Sequence, residues 1–75
     1  MQRYQNARGG SGVATYETGP EFIRVKFKHG ATYEYNYAST GRIHVERMKL
    51  LAVSGKGLAT FISQFVKANY ARRRT

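Results

Sequence analysis

Two alternating segments on either side of His29-Gly30 set the strongest limit on what this chain can become. In Glu21 to Lys28, Ile23, Val25 and Phe27 fall on one side and Arg24, Lys26 and Lys28 on the other, while Tyr33, Tyr35 and Tyr37 share a side of Ala31 to Tyr37. A period of two is that of a strand with one buried face, so the two segments predict an antiparallel hairpin. Its register follows from consistency. A two-residue turn would interleave the tyrosines with cations and strand Glu34 among Val25 and Ile23. A three-residue loop, Lys28-His29-Gly30, with Gly30 in the left-handed region, sets Phe27 opposite Ala31, Val25 opposite Tyr33 and Ile23 opposite Tyr35. It also sets Arg24 opposite Glu34 and Lys26 opposite Thr32, an opposite-charge pair on the second face. The three-residue loop is therefore expected.

Val13-Ala14-Thr15-Tyr16-Glu17 supplies a third strand before the turn Thr18-Gly19-Pro20-Glu21, pairing Tyr16 with Ile23 and placing Tyr16 and Ala14 on the apolar face. After Tyr37 the period changes. Ala38-Ser39-Thr40-Gly41 is a turn and capping cluster, and Val45, Met48 and Leu51 or Ala52 recur at helical spacing up to Ser54-Gly55. Leu58, Phe61, Ile62, Phe65 and Asn69 form the stripe of a second helix, whose end at Arg72-Arg73-Arg74 complements the macrodipole. The expected fold is α+β: a three-stranded antiparallel meander followed by two helices packed on one face, β-β-β-α-α. Residues 1–12, with Gly9, Gly10 and Gly12, read as a flexible basic arm, 13–71 as a single domain, and 72–75 as a basic tail.

The stretch Val25-Lys26-Phe27-Lys28-His29-Gly30-Ala31-Thr32-Tyr33-Glu34-Tyr35 resembles the centre of the KTSC family, a small domain seen at the C-terminus of some lysyl-tRNA synthetases and as free-standing bacterial and phage proteins. The shared mark is Tyr33-x-Tyr35 after a strand ending in Phe, a charged residue and Gly. Tyr16 corresponds to a tyrosine in the preceding strand, and Val66-Lys67-Ala68-Asn69-Tyr70 resembles the closing pattern. The likeness spans about 13–70. The chain departs from the family where a proline follows the Tyr-x-Tyr strand, since Ala38-Ser39-Thr40-Gly41 stands there. In Ser54-Gly55-Lys56-Gly57-Leu58-Ala59 the spacing of a second family motif is shifted. The resemblance implies an RNA-binding role.

Charge points the same way from the residues themselves. Thirteen Lys and Arg against four Asp and Glu give +9 over 75 residues. Without Arg72, Arg73 and Arg74, ten cations still face four anions, so the excess is spread over the domain. The open sheet face is expected to show Val13, Thr15 and Glu17, then Phe22, Arg24, Lys26 and Lys28, then Thr32, Glu34 and Asn36. Three cations beside an exposed Phe make a platform for phosphates and a stacked base, although a solvated antiparallel face reads the same way. Lys67 and Arg72 to Arg74 are candidates for backbone phosphates, or a solubilising tail. Lys56, in Ser54-Gly55-Lys56-Gly57, offers a possible anion seat or a plain turn between helices; Leu50 stands where a Walker A loop needs glycine. Tyr33 and Tyr35 are core in the favoured register, with hydroxyls at the rim, and Tyr37 lies at the strand end.

The remaining classes are excluded by what is missing. With no cysteine there is no disulfide, thiolate nucleophile or zinc-thiolate site. His29 and His44 have no neighbouring Cys or Asp to make a metal site. The four glutamates are scattered, and Ser54 with His44 has no nucleophile-elbow spacing, so no enzyme and no cofactor are expected. No apolar run approaches the roughly 18 residues of a membrane span, and no signal-peptide h-region precedes Gly12, so a cytoplasmic protein without a membrane partner is expected. The partner is expected to be nucleic acid, RNA or single strands before duplex DNA; an acidic protein docked on the same basic surface, or a small anion such as a nucleotide at Ser54 to Gly57, is the alternative.

Overall fold

The computed structural model describes residues 2–5, 12–28 and 30–74. Strands β1 (Gln2–Arg3), β2 (Val13–Thr18), β3 (Phe22–Phe27), β4 (Thr32–Asn36) and β5 (Arg72–Arg74) form one antiparallel sheet in the order β1-β2-β3-β4-β5. Helices α1 (Tyr37–Thr40), α2 (Arg42–Ser54) and α3 (Leu58–Phe61), followed by a π-helix over Ile62–Val66, lie between β4 and β5. The class is α+β with the helices on the apolar sheet face, but among the described residues the sheet has five strands rather than three. Ile23, Val25 and Tyr35 from the sheet meet Val45, Met48, Ala52, Leu58, Ile62 and Val66 from the helices in one core.

The central hairpin has the expected register. Val25 stands opposite Tyr33, Ile23 opposite Tyr35, Arg24 opposite Glu34 and Lys26 opposite Thr32. Gly30 has φ 103, and the Phe27 amide donates to the Ala31 carbonyl at 2.9 Å, so the loop closes where the charge pairing requires. His29 lies outside the described residues. The first hairpin differs by two residues: Tyr16 pairs with Val25, not Ile23, because the Gly19 amide bonds the Phe22 carbonyl and moves the turn one residue along the chain, onto Pro20-Glu21. A slip of two preserves the faces, so Tyr16 stays in the core. Between Val13 and Thr15 the register then shifts at a bulge. The extra residue reverses the alternation, so Val13, expected on the open face, is buried, while Ala14 is only half-buried.

Both chain ends correct the expectation. Gln2 and Arg3 pair with Tyr16 and Thr15, and Tyr4 is a core residue, so this part of the expected arm belongs to the sheet; residues 1 and 6–11 lie outside the described residues. The Tyr4 ring meets Tyr16 edge-on at 6.5 Å, and its hydroxyl accepts the Leu58 amide at 3.3 Å. Arg72 to Arg74 do not end a helix but pair with Glu34, Tyr33 and Thr32. Thr75 lies outside the described residues.

The second helix is interrupted by its π-turn. One extra residue per turn rotates everything after it by about 100°, so Val66 replaces the expected Phe65 in the core, and Phe65 is 56% exposed. Phe65 joins Phe61 and His44 in an aromatic cluster on the helical side, with centroids 5.0 and 6.4 Å from it. Asn69, expected on the stripe, is exposed and ends the turn, its carbonyl accepting a hydrogen bond from the buried Thr40 hydroxyl. That tether returns the chain to β4, where the Ala71 amide meets the Glu34 carbonyl at 2.6 Å. Thr40→Val is expected to cost about 1 kcal/mol and to speed amide exchange at Ala71 to Arg74 more than in β3. Uniform acceleration would show that Thr40 does not anchor β5.

The expected capping cluster is a short helix. Asn36 caps α1, its side chain accepting the Ser39 amide at 2.9 Å. Tyr37 thereby leaves the sheet, and its hydroxyl donates to Glu46 Oε2 at 2.6 Å, while Lys49 Nζ donates to the same oxygen at 2.8 Å. Lys49 and then Tyr37 hold the Glu46 carboxyl below its ordinary value. A depressed folded-state pKa contributes stability above the unfolded value and loses it as pH falls through the folded one. Below about pH 4.5, the wild type is expected to lose melting temperature faster than Glu46→Gln; parallel curves would remove the carboxylate from this role.

Candidate nucleic-acid interface

Antiparallel pairing carries each open-face side chain into a row across the sheet, and β1 and β5 extend those rows beyond the three expected strands. One row runs Arg3, Thr15, Lys26, Thr32, Arg74. The next runs Glu17, Arg24, Glu34, Arg72. They differ in charge balance. In the second row Arg24 is held on both sides, Nε 2.9 Å from Glu34 Oε1 and a terminal nitrogen 3.0 Å from Glu17 Oε1. Those bonds, Glu34 first, raise the guanidinium's already high pKa. Two arginines and two glutamates cancel, and Arg24 is largely committed to structure. The first row holds three cations, two threonines and no carboxylate, and among the described residues no ion pair involves Arg3, Lys26 or Arg74.

Arg3 and Lys28 line one shallow depression of about 340 Å³ beside Val13 and Ala14, which extends the basic row past the β3–β4 loop end. A second depression, also about 340 Å³, lies over the junction of the rows and is lined by Glu17, Arg24, Thr32, Glu34, Arg72 and Arg74. Arg72 and Arg74, expected on a tail, thus stand on the same surface as Arg24 and Lys26. Arg3 was missed by sequence reasoning because two residues are too short a segment to show alternation.

The other candidates part company. Phe22 is half-buried at the far end of the face, with the Arg24 guanidinium 4.6 Å from its ring centroid, so that ring face is covered by a cation. Arg73, between Arg72 and Arg74, points to the opposite face, 5.6 Å from the Tyr33 ring centroid. Lys67 lines a pocket on that opposite face. Lys56 is exposed between α2 and α3; in its turn the Ser54 hydroxyl donates to the Leu51 carbonyl at 2.9 Å and the Gly55 amide to Leu51 and Ala52, which spends those donors on the helix end. Tyr16, Tyr33, Tyr35 and Tyr70 all lie on the helix-covered side: Tyr16 and Tyr35 are buried, Tyr33 and Tyr70 half-buried.

Among the described residues, no three His, Asp or Glu side chains gather as a metal cluster, and no helix is long and apolar enough to cross a membrane. In comparisons with known proteins, the chain matches no family model, no curated protein and no solved structure.

Proposed function

We propose that the protein is a small nucleic-acid-binding module that holds the phosphate backbone of RNA or another single strand on the open sheet face. One observation carries this reading: the row Arg3, Lys26, Arg74, without a carboxylate, next to a row that neutralises itself. Flat cationic sheet faces with small hydroxyl side chains suit an extended backbone, and threonine hydroxyls add phosphate hydrogen bonds. The binding is electrostatic more than base-reading, since Phe22 is covered by Arg24 and the tyrosines are turned away. The proposed kinship with the KTSC family rests on the Tyr33-x-Tyr35 hairpin and agrees with an RNA ligand. The test is titration with a short single-stranded RNA at rising salt. Binding that weakens steeply with salt supports the reading, and no binding at low salt overturns it.

A second reading, docking on an acidic protein, is favoured by Ile43, Leu50 and Val53, which are 84%, 67% and 69% exposed along the outside of α2 beside Arg42 and Arg47. A purified complex that survives nuclease treatment and is lost on Leu50→Glu would replace the first reading.

A further inference from the structure

On the side of the sheet away from the basic row, between the ends of β3 and β4 and the π-helix, lies a pocket of about 600 Å³, within the roughly 300–1,000 Å³ range of small-molecule sites. Its wall is aromatic. The Tyr33 ring meets Phe27 edge-on at 5.5 Å and Tyr70 edge-on at 4.9 Å, and stacks near Tyr35 at 6.4 Å. Its rim carries two exposed cations, Lys67 and Arg73, and among the described residues no carboxylate lines it. The chain takes pains of geometry to build it: the π-turn ends at Lys67, Thr40 holds the Asn69 carbonyl, and the return to β5 lays Tyr70 against Tyr33. π-turns are rare and frequently stand at functional sites.

We infer that this pocket binds a nucleoside phosphate, the base against the Phe27, Tyr33 and Tyr70 rings and the phosphate between Lys67 and Arg73. Each element has a matching chemistry. Aromatic rings stack any base through its π-face; with the Arg73 guanidinium over one face of Tyr33, the Phe27 and Tyr70 rings beside it supply the stacking surface. A lysine and an arginine at the mouth supply charge-assisted hydrogen bonds to phosphate oxygens. The Tyr35 phenol lines the same pocket, and burial, with the Tyr33 and Tyr70 phenols adding to it, holds its pKa well above the ordinary value. The inference does not depend on the basic row, because the pocket opens on the other face. The nucleoside phosphate is either a free nucleotide or a nucleotide splayed out of a single strand.

The test maps amide and tyrosine-ring shifts during titration with AMP, and separately with a hexa-adenylate RNA. Shifts at Tyr33, Tyr70 and Ile62 to Ala68 with AMP are expected, weakened about tenfold by Lys67→Glu, an exposed change that leaves the core intact. Pocket shifts with the RNA but not AMP also support the site and identify the source as a strand. Lys26→Glu separates the two proposals, since it weakens RNA on the open face and leaves AMP in the pocket. If neither probe moves the pocket signals, or Lys67→Glu leaves unchanged the affinity of the probe that does move them, the inference fails.

Discussion

Tyr4→Ala is expected to lower the stability of the domain by about 3–5 kcal/mol, the usual loss for truncating a large buried aromatic. Tyr4 is only 4% exposed and lies between two layers of the fold. Its amide bonds the Ala14 carbonyl at the bulge, its ring fills the space beside Tyr16, and its hydroxyl meets the Leu58 amide at the start of α3. Alanine removes the ring and leaves that buried amide without its acceptor. A 75-residue domain has about 4–11 kcal/mol in total, so the variant loses about a quarter of it or more. The melting midpoint should fall by well over 10 °C. Tyr4→Phe keeps the ring and loses only the hydrogen bond, so about 1 kcal/mol is expected. Deleting residues 1–5 should match or exceed the alanine variant. A deletion that melts within 2 °C of the wild type would show that β1 is dispensable.

How legible each part was in the sequence follows from how local its signal is. The β3–β4 hairpin was legible because Arg24 and Glu34 sit on one face only if Ile23, Val25, Tyr33 and Tyr35 share the other, so charge and hydrophobicity agree on a single register. Gly30 then supplies the required backbone. The edge strands gave no such signal. Gln2–Arg3 and Arg72–Arg74 contain no apolar residue, and their strand character comes wholly from pairing with a partner already in place. Only the flanking Tyr4 and Tyr70 mark where the chain enters the core. Arginines also suit an edge, since charge discourages pairing with another sheet. The π-turn was illegible because Leu58, Phe61, Ile62 and Phe65 fit an uninterrupted helix equally well. The wider turn is marked only by its result, the burial of Val66 in the core in place of Phe65. The candidate site was legible residue by residue but not as a surface: Lys26 and Arg74 lie 48 positions apart in sequence, and only the topology puts them in one row.

That row makes the second large effect specific to place rather than to net charge. Replacing Arg3, Lys26 and Arg74 together by glutamine is expected to flatten the slope of log K against log salt by about 2, at roughly 0.7 per phosphate contact on a single strand. Over a fourfold rise in salt, those three contacts account for about a 20-fold loss of affinity in the wild type that the variant no longer shows. Arg42, Arg47 and Lys56 are equally exposed but lie in the helix layer, so glutamine at those three changes the net charge by the same amount and should leave the slope within half a unit. The neutral row predicts the opposite sign. Glu34→Gln removes the main partner of Arg24 and a carboxylate facing Arg72, which frees cations on the same face, so affinity should rise and the slope steepen. If both triple variants lose binding equally, the +9 acts as a diffuse cloud and the row has no privileged part in it. If only the row variant does, the sheet's cross-strand order has turned a general excess of charge into a track for a phosphate backbone.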